Sequence, residues 1–288
     1  LNTGARLRRV GRPGGLLYWC LRRHQPAGGH VAETLYRQPL SIGPHGDQSI
    51  FVGTQYLRVT VSQALQHVVR EALSSPQIIV ASNRQPYIHE RDGDHAIRVQ
   101  VPASGIVSAL EPVMRACSGT WVAHGSGSAD RDVVDRYDRV PVPPDDPAYA
   151  LRRLWLTAEE EEGYYYGFAN EGLWSLCHLA YVRPAFRDSD WRGYEAVNRK
   201  FAAAIIAEAG RDPVVLVQDY HLALTPRLIR HRKPGATIVL FWHIPWPNAE
   251  AFGVCPWKCQ ILEHMLSADI LGFHTRHHCQ NFLATADR

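Results

Sequence analysis

The sequence predicts an α/β fold in which a parallel sheet carries helices on both faces, and three observations support it. Apolar runs of strand length recur, among them Ile78-Ile79-Val80, Val214-Val215-Leu216-Val217 and Thr237-Ile238-Val239-Leu240-Phe241. Each is a continuous run, the pattern of a strand buried on both sides. Longer segments with helical spacing separate them and supply the crossovers that parallel strands need.

Residues 1–76 are rich in Gly, Arg and Pro and show little periodicity, apart from an amphipathic helix predicted over 61–73 and ended by Ser74-Ser75-Pro76. A strand is predicted at 78–82, a helix from Gly105 through Ala116 and a strand at 120–123. Residues 141–147 are a Pro/Asp loop, and 152–156 a further strand. Thr157 opens a helix with Glu160 at the capping-box position. The longest helical pattern covers 191–209. Strands at 214–217, 237–241 and 270–273 then alternate with helices at 222–231, 256–266 and 276–286, and no internal repeat is present.

The chain has 288 residues, 45% hydrophobic and 20% charged, enough for one large or two modest domains with a substantial core. A formal net charge of +3, with 15 His counted neutral, provides no field to recruit nucleic acid or a membrane surface. The basic excess is local, in Arg6, Arg8, Arg9, Arg12, Arg22 and Arg23. Cysteines 20, 117, 177, 255, 259 and 279 form no CxxC pair, so reduced thiols in a cytoplasmic protein are the simpler expectation. The apolar run at 237–242 is far too short to span a bilayer, and 14–21 lacks the apolar core and cleavage site of a signal peptide. The chain starts at Leu1, and a fragment of a longer protein is expected.

In parallel sheets ligands bind beyond the carboxyl ends of the strands. The residues to weigh are therefore Asn83 and Arg84, His124, Asp219 and His221, His243 and His274. Asp219 can accept hydrogen bonds from sugar hydroxyls or cap a helix beginning at Leu222, and both readings stand. His243 lies in Trp242-His243-Ile244-Pro245-Trp246-Pro247, a loop stiffened by prolines and tryptophans, where it can donate to a substrate oxygen. A structural histidine is the commoner explanation of such a residue in isolation. Arg84 follows the first strand of this region and suits bidentate phosphate contact, although a surface ion pair is the commoner use of an arginine. Ser104-Gly105-Ile106 opens a helix whose free N–H groups favour an anion, or is simply a helix start. Tyr164, Tyr165, Tyr166, Phe168 and Trp174 suit sugar faces and equally suit a core.

Three weaker signals are set aside. Gly125-Ser126-Gly127-Ser128-Ala129-Asp130 lacks the third glycine of a dinucleotide fingerprint, which disfavours a nucleotide-dependent oxidoreductase. Asp188-Ser189-Asp190 has the Asp-x-Asp form of some metal sites but precedes a long helix, where capping is the expected role. His277-His278-Cys279 points its side chains in different directions on a helix, so no metal is expected.

Together the segments resemble glycosyltransferase family 20, the trehalose-6-phosphate synthases, over about residues 77–288. The motifs come in order: Ser82-Asn83-Arg84, Ser104-Gly105-Ile106-Val107, Tyr164-Tyr165 with Gly167-Phe168-Ala169-Asn170 and Leu173-Trp174, then Trp191, Tyr194 and Asn198. Gln218-Asp219-Tyr220-His221-Leu222, His243-Ile244-Pro245-Trp246-Pro247 and Leu271-Gly272-Phe273-His274-Thr275 complete the series. The resemblance implies a Rossmann-like domain, residues 77–288, as the N-terminal half of a GT-B glycosyltransferase, after an N-terminal extension, residues 1–76, of unassigned role. It implies retaining transfer of glucose from UDP-glucose to glucose-6-phosphate without a metal or other cofactor. By the same resemblance Arg84 contacts the acceptor phosphate, Tyr165, Trp174 and Asp219 line the acceptor pocket, Gly105 approaches the donor phosphates and His243 meets the transferred glucose.

Two positions depart from the family pattern. Ser104-Gly105 stands where the family has Gly-Gly, and His124 stands where it places a second acceptor-stacking tryptophan. The second change leaves glycerol-3-phosphate or a cyclitol phosphate open as acceptors. The family's second Rossmann-like domain, with the cations for the donor diphosphate, has no match in this sequence, so the chain is expected to be inactive by itself. A non-catalytic sugar-phosphate-binding regulatory module is the alternative. Expected partners are a nucleotide sugar and a sugar phosphate, with homo-oligomerisation open.

Overall fold

The computed structural model describes residues 77–93 and 96–288, together with backbone strands at residues 6–10, 17–21, 41–42, 48–52 and 55–58. The helix expected over 61–73 lies outside the described residues. In chain order the strands are β1 (Arg6–Val10), β2 (Leu17–Leu21), β3 (Ser41–Ile42), β4 (Gln48–Val52), β5 (Gln55–Arg58), β6 (Ile78–Ser82) and β7 (Ile88–Arg91). They continue with β8 (Ile97–Gln100), β9 (Thr120–His124), β10 (Arg139–Val142), β11 (Tyr149–Leu154), β12 (Val214–Gln218), β13 (Thr237–Trp242) and β14 (Ile270–Phe273). The helices are α1 (Gly105–Cys117), α3 (Asp188–Glu208), α4 (Thr225–Arg232), α5 (Ala249–Phe252), α6 (Lys258–Met265) and α7 (Arg276–Ala286). Between α1 and α3, helix α2 starts as Ala158–Glu161, winds as a π-helix over Glu162–Trp174 and ends as Ser175–Cys177.

The main sheet has the order β1-β2-β14-β13-β12-β6-β9-β11-β10. From β14 to β11 all neighbours are parallel, and antiparallel strands β2, β1 and β10 extend the two edges. The order reverses beside β6: the chain runs outward through β9 and β11, then returns to β12 on the other side and continues through β13 and β14. The pleat divides the strand residues between two cores. Ile78, Val80, Trp121 and Ala123 pack with Val107 and Met114 of α1, whereas Ile79, Ala81, Val122, Val215 and Val217 pack with the remaining helices. Among the described residues no helix is long and apolar enough to cross a membrane.

Several element bounds differ from those expected. The strand expected at 152–156 runs instead over Tyr149–Leu154, because its parallel register with β9 begins at Ala150 opposite Thr120. The loop expected at 141–147 begins two residues later. Pro141 and Val142 belong to β10, an edge strand where a missing N–H is tolerated. The helix expected from Leu222 starts at Thr225, with Pro226 in its first turn, after a 3-10 turn over Tyr220–Leu222. Thr157 and Glu160 do form a reciprocal capping box. Asp188-Ser189-Asp190 does not cap α3 by side chain: the N-cap is Arg187, and Asp190 accepts from its Nη1 at 2.8 Å. Cys117, Cys177, Cys255 and Cys259 are free, and Cys279 departs from the expectation of reduced thiols by being disulfide-bonded.

A buried ionic cluster holds the chain that leaves β6. Arg153 and Asp130 are both fully buried and lie 2.9 Å apart. Arg153 Nε donates to Gln85 Oε1 at 2.8 Å and Nη2 to the Tyr87 carbonyl at 3.1 Å, while Asp130 accepts from the Gln85 amide and from the His89 and Gly127 backbone N–H groups. Every charge here has a partner, so burial is tolerated, but removing one side would leave the other uncompensated. Asp130→Ala is therefore expected to lower unfolding free energy by about 3–5 kcal/mol, measured by urea denaturation. A loss within the ordinary surface range would show that the cluster is not a structural tie.

Candidate active site

A cavity of about 830 Å³ opens beyond the carboxyl ends of the central parallel strands. It lies at the reversal of strand order, where chain segments leaving β6 and β12 diverge and leave a crevice. Ser82, Asn83 and Arg84 after β6 form one side, and Gln218, Asp219, Tyr220 and His221 after β12 form the floor. Phe241, His243 and Ile244 follow from β13, and His274 from β14. The first turns of α1, with Ser104, Gly105, Ile106, Ala109 and Leu110, close the opposite wall, and Tyr165 and Trp174 of α2 complete it.

Of the eight residues given a site role from the sequence, seven reach this cavity: Arg84, Ser104, Gly105, Tyr165, Trp174, Asp219 and His243. His124 does not line it. Alternation along β9 turns His124 to the same face as Val122, under α2 and α3, where it is buried. The structure therefore does not bring it together with the other seven. Asn83, His221 and His274, weighed by the strand-end rule without an assigned role, also line the cavity, while Gln218 and Tyr220 were visible only as neighbours of Asp219.

Asp219 caps the 3-10 turn over Tyr220–Leu222 by side chain and also lines the cavity. Its Oδ1 accepts from the Tyr220 N–H at 2.9 Å and from the His243 N–H at 3.1 Å, tying the ends of β12 and β13 together. Its Oδ2 makes no hydrogen bond among the described residues and lies 3.9 Å from His221 Nδ1. The residue is held at φ 73°, a region a non-glycine side chain occupies only under constraint, at a cost of about 1–3 kcal/mol. Burial pushes its carboxyl up to about 6, against the two backbone donors that lower it. His243 Nε2 lies 2.9 Å from Gln218 Oε1. With that oxygen as acceptor, Nε2 carries the proton and Nδ1 is left as the ring's acceptor. Burial, with a smaller contribution from His274, brings His243 down to about 4. Burial, then the charge of Arg84, brings His221 down to about 3. Arg84 is exposed, lines the cavity and makes no ion pair among the described residues. No cluster of three metal-ligating side chains occurs among the described residues.

Tyr165 and Trp174 share this wall although nine residues separate them. At 3.6 residues per turn that spacing is two and a half turns and puts them on opposite sides. At about 4.4 residues per turn in a π-helix it is just over two turns, and they align. Burial along the segment keeps the same period, with Gly163-Tyr164, Gly167-Phe168-Ala169 and Gly172-Leu173 inside. Tyr165 stacks on His221 with centroids 5.4 Å apart and planes 12° apart.

These shifts set an acid response. His221 and His243 contribute stability that is complete above about pH 6.5 and is lost as pH falls toward 4 and 3. Asp219 acts oppositely: its contribution is complete below about 3.9 and is lost as pH rises through about 6. Two imidazoles oppose one carboxyl, so thermal stability should fall between pH 6.5 and 4.5. It should fall more steeply in Asp219→Asn, which lacks the opposing group. Melting temperatures across that range check the sign, and a shallower fall in the variant would reverse the assignment.

The sequence model of glycosyltransferase family 20 matches residues 76–288. The trehalose-6-phosphate synthase of Mycobacterium avium (strain 104) is 40% identical over 210 residues, which is 73% of this chain and 42% of that protein. The trehalose-6-phosphate synthase of Mycobacterium ulcerans (strain Agy99) is 38% identical over 226 residues, 78% of this chain and 44% of that protein. A solved E. coli trehalose-6-phosphate structure bound with UDP-2-fluoro glucose superposes with a TM-score of 0.59 at 26% identity, over 73% of this chain and 42% of that one. This chain thus spans less than half the length of these relatives. The ordered motifs, the parallel sheet and the extent of the match agree: the chain belongs to glycosyltransferase family 20.

Proposed function

We propose that this chain is the acceptor-side part of a retaining hexosyltransferase that moves glucose from UDP-glucose to glucose-6-phosphate, giving trehalose 6-phosphate. The observation that carries the reading is the setting of Arg84. Its guanidinium has no carboxylate partner among the described residues, and it stands at the rim of a cavity that also presents Asp219, Tyr165 and Trp174. A sugar carrying one phosphate matches that set: the dianion meets Arg84, the ring faces meet the aromatics, and a hydroxyl donates to Asp219 Oδ2. The Ser104 and Gly105 N–H groups, at the start of α1, suit the donor phosphates. His243, neutral near pH 7, accepts through Nδ1 from a hydroxyl of the transferred glucose.

In the transfer step the acceptor hydroxyl oxygen bonds to the anomeric carbon as the bond from that carbon to the nucleotide phosphate oxygen breaks on the same face. The hydroxyl proton passes to the leaving phosphate oxygen. No protein nucleophile is needed, so the residues act by position and electrostatics. In this reading residues 77–288 are the first domain of a GT-B architecture, and a facing domain supplies the cations for the donor diphosphate.

Arg84→Ala should weaken glucose-6-phosphate binding by about 2 kcal/mol, the scale of a charge-assisted contact, with an unchanged melting temperature. Calorimetric titration checks it. Wild-type affinity in the variant would remove Arg84 from the site, and tighter binding of glycerol-3-phosphate than of glucose-6-phosphate would change the acceptor. Asp219→Asn keeps the oxygen that holds Tyr220 and His243 but loses the charge at Oδ2. In the complete protein it should retain stability while catalytic efficiency falls roughly 10²-fold, the scale of a lost positioning contact. Near wild-type turnover would reduce Asp219 to a cap.

A further inference from the structure

The aromatic wall of the cavity depends on how α2 winds, and the contact that holds that winding lies on its far side. Gly163, Gly167 and Gly172 recur at four and five residues, so they form a line only on a π-wound surface. That line rests on α3 and the segment before it. A Cβ on Gly167 would lie 2.6 Å from both Cγ and Oδ2 of Asp190, and one on Gly172 would lie 2.9 Å from the Phe186 ring. A Cβ on Gly163 would find nothing nearer than 3.6 Å. Asp190 has little freedom to yield, because it is buried, accepts from Arg187 Nη1 at 2.8 Å and from Ser189 Oγ at 3.1 Å, and belongs to the first turn of α3. At Gly193, one turn further along α3, a Cβ would lie 3.2–3.3 Å from the Gly163–Tyr164 backbone.

We propose that Gly167, seated against the Asp190 carboxylate, is a positioning residue that sets the π winding of α2 and thereby brings Tyr165 and Trp174 together on the cavity wall. The motif Asp188-Ser189-Asp190 then has a role that is neither metal binding nor capping: Asp190 is the stop against which the winding is set. A side chain at 167 pushes the π turn away from α3 and rotates Tyr165 off His221. Specificity for the sugar face follows, since Tyr165 and Trp174 contact a ligand as a pair only in this register. The ligand-binding part of this inference rests on the acceptor reading above, whereas the register itself does not.

The test uses the whole chain and two readouts. The first needs no ligand: Tyr165 stacked on the His221 ring shifts its carbon-bound proton resonances, identified by their loss in His221→Gln. Gly167→Ala should move those resonances toward unstacked values and weaken glucose-6-phosphate binding about tenfold by calorimetry. Gly163→Ala should leave both unchanged, and adding Asp190→Ala to Gly167→Ala should restore both. An unmoved His221 resonance in Gly167→Ala, an equal movement in Gly163→Ala, or no restoration in the double variant would overturn the proposal. If Gly167→Ala does not fold, Gly172→Ala with and without Phe186→Leu makes the same comparison against Phe186. Movement and rescue of the resonance in a protein that binds no glucose-6-phosphate would support the register and overturn the acceptor reading.

Discussion

Parallel strands need crossovers, and this chain makes them in two directions from one starting strand. From β6 it passes outward to β9 and β11, and when it returns it pairs β12 with the free side of β6. The segments leaving β6 and β12 therefore diverge, and the crevice between them cannot be filled by either connection. The rest of the site follows from that pairing. Arg84 and Asp219 face one cavity because they follow adjacent strands, and His243 joins them because β13 pairs in register with β12. The Arg153–Asp130 cluster lies just behind this point and holds the chain that carries Arg84 away from the sheet.

The cavity handles charge economically. Its floor holds polar groups in a largely apolar setting, where ionised groups are costly unless partnered. The two floor imidazoles respond by remaining neutral, and Asp219 is supported by two backbone donors rather than by a cation. The positive charge at the rim is left on Arg84, which is exposed and unpaired among the described residues. Under the proposed function, that arrangement offers a sugar phosphate one site for its dianion and a neutral, hydrogen-bonding surface for its hydroxyls. The strained backbone of Asp219 is the local cost of aiming one carboxylate oxygen inward while the other ties two strand ends.

Where sequence reasoning fell short, the reasons are specific. A search at period 3.6 cannot find a helix whose burial recurs every four to five residues, so the segment from Glu162 to Trp174 registered as an aromatic cluster without a direction. The spacing of Gly163, Gly167 and Gly172 carried the missing period. The separation of His124 from the cavity was not legible, because its position at a strand end is a chain property, whereas the face it turns to depends on the pleat of β9. Asp190 looked like a cap because it stands at the start of a long helix, but its side chain pairs with Arg187 and Ser189 and packs against Gly167 of a different helix.

The sequence by itself determined which segments are strands buried on both faces, which helices cross between them and which polar residues stand at strand ends. Those properties are local, written in continuous apolar runs and in the residues that follow them. The order of the strands, and hence the meeting of Arg84 with Asp219, was decided only by tertiary pairing, because an apolar run does not specify its neighbour. The alignment of Tyr165 with Trp174 was decided the same way. Helical winding is chosen by what a helix packs against, and here the backbone of α2 approaches α3 closely at Gly163, opposite Gly193, and at Gly167, which leaves room for the Asp190 carboxylate.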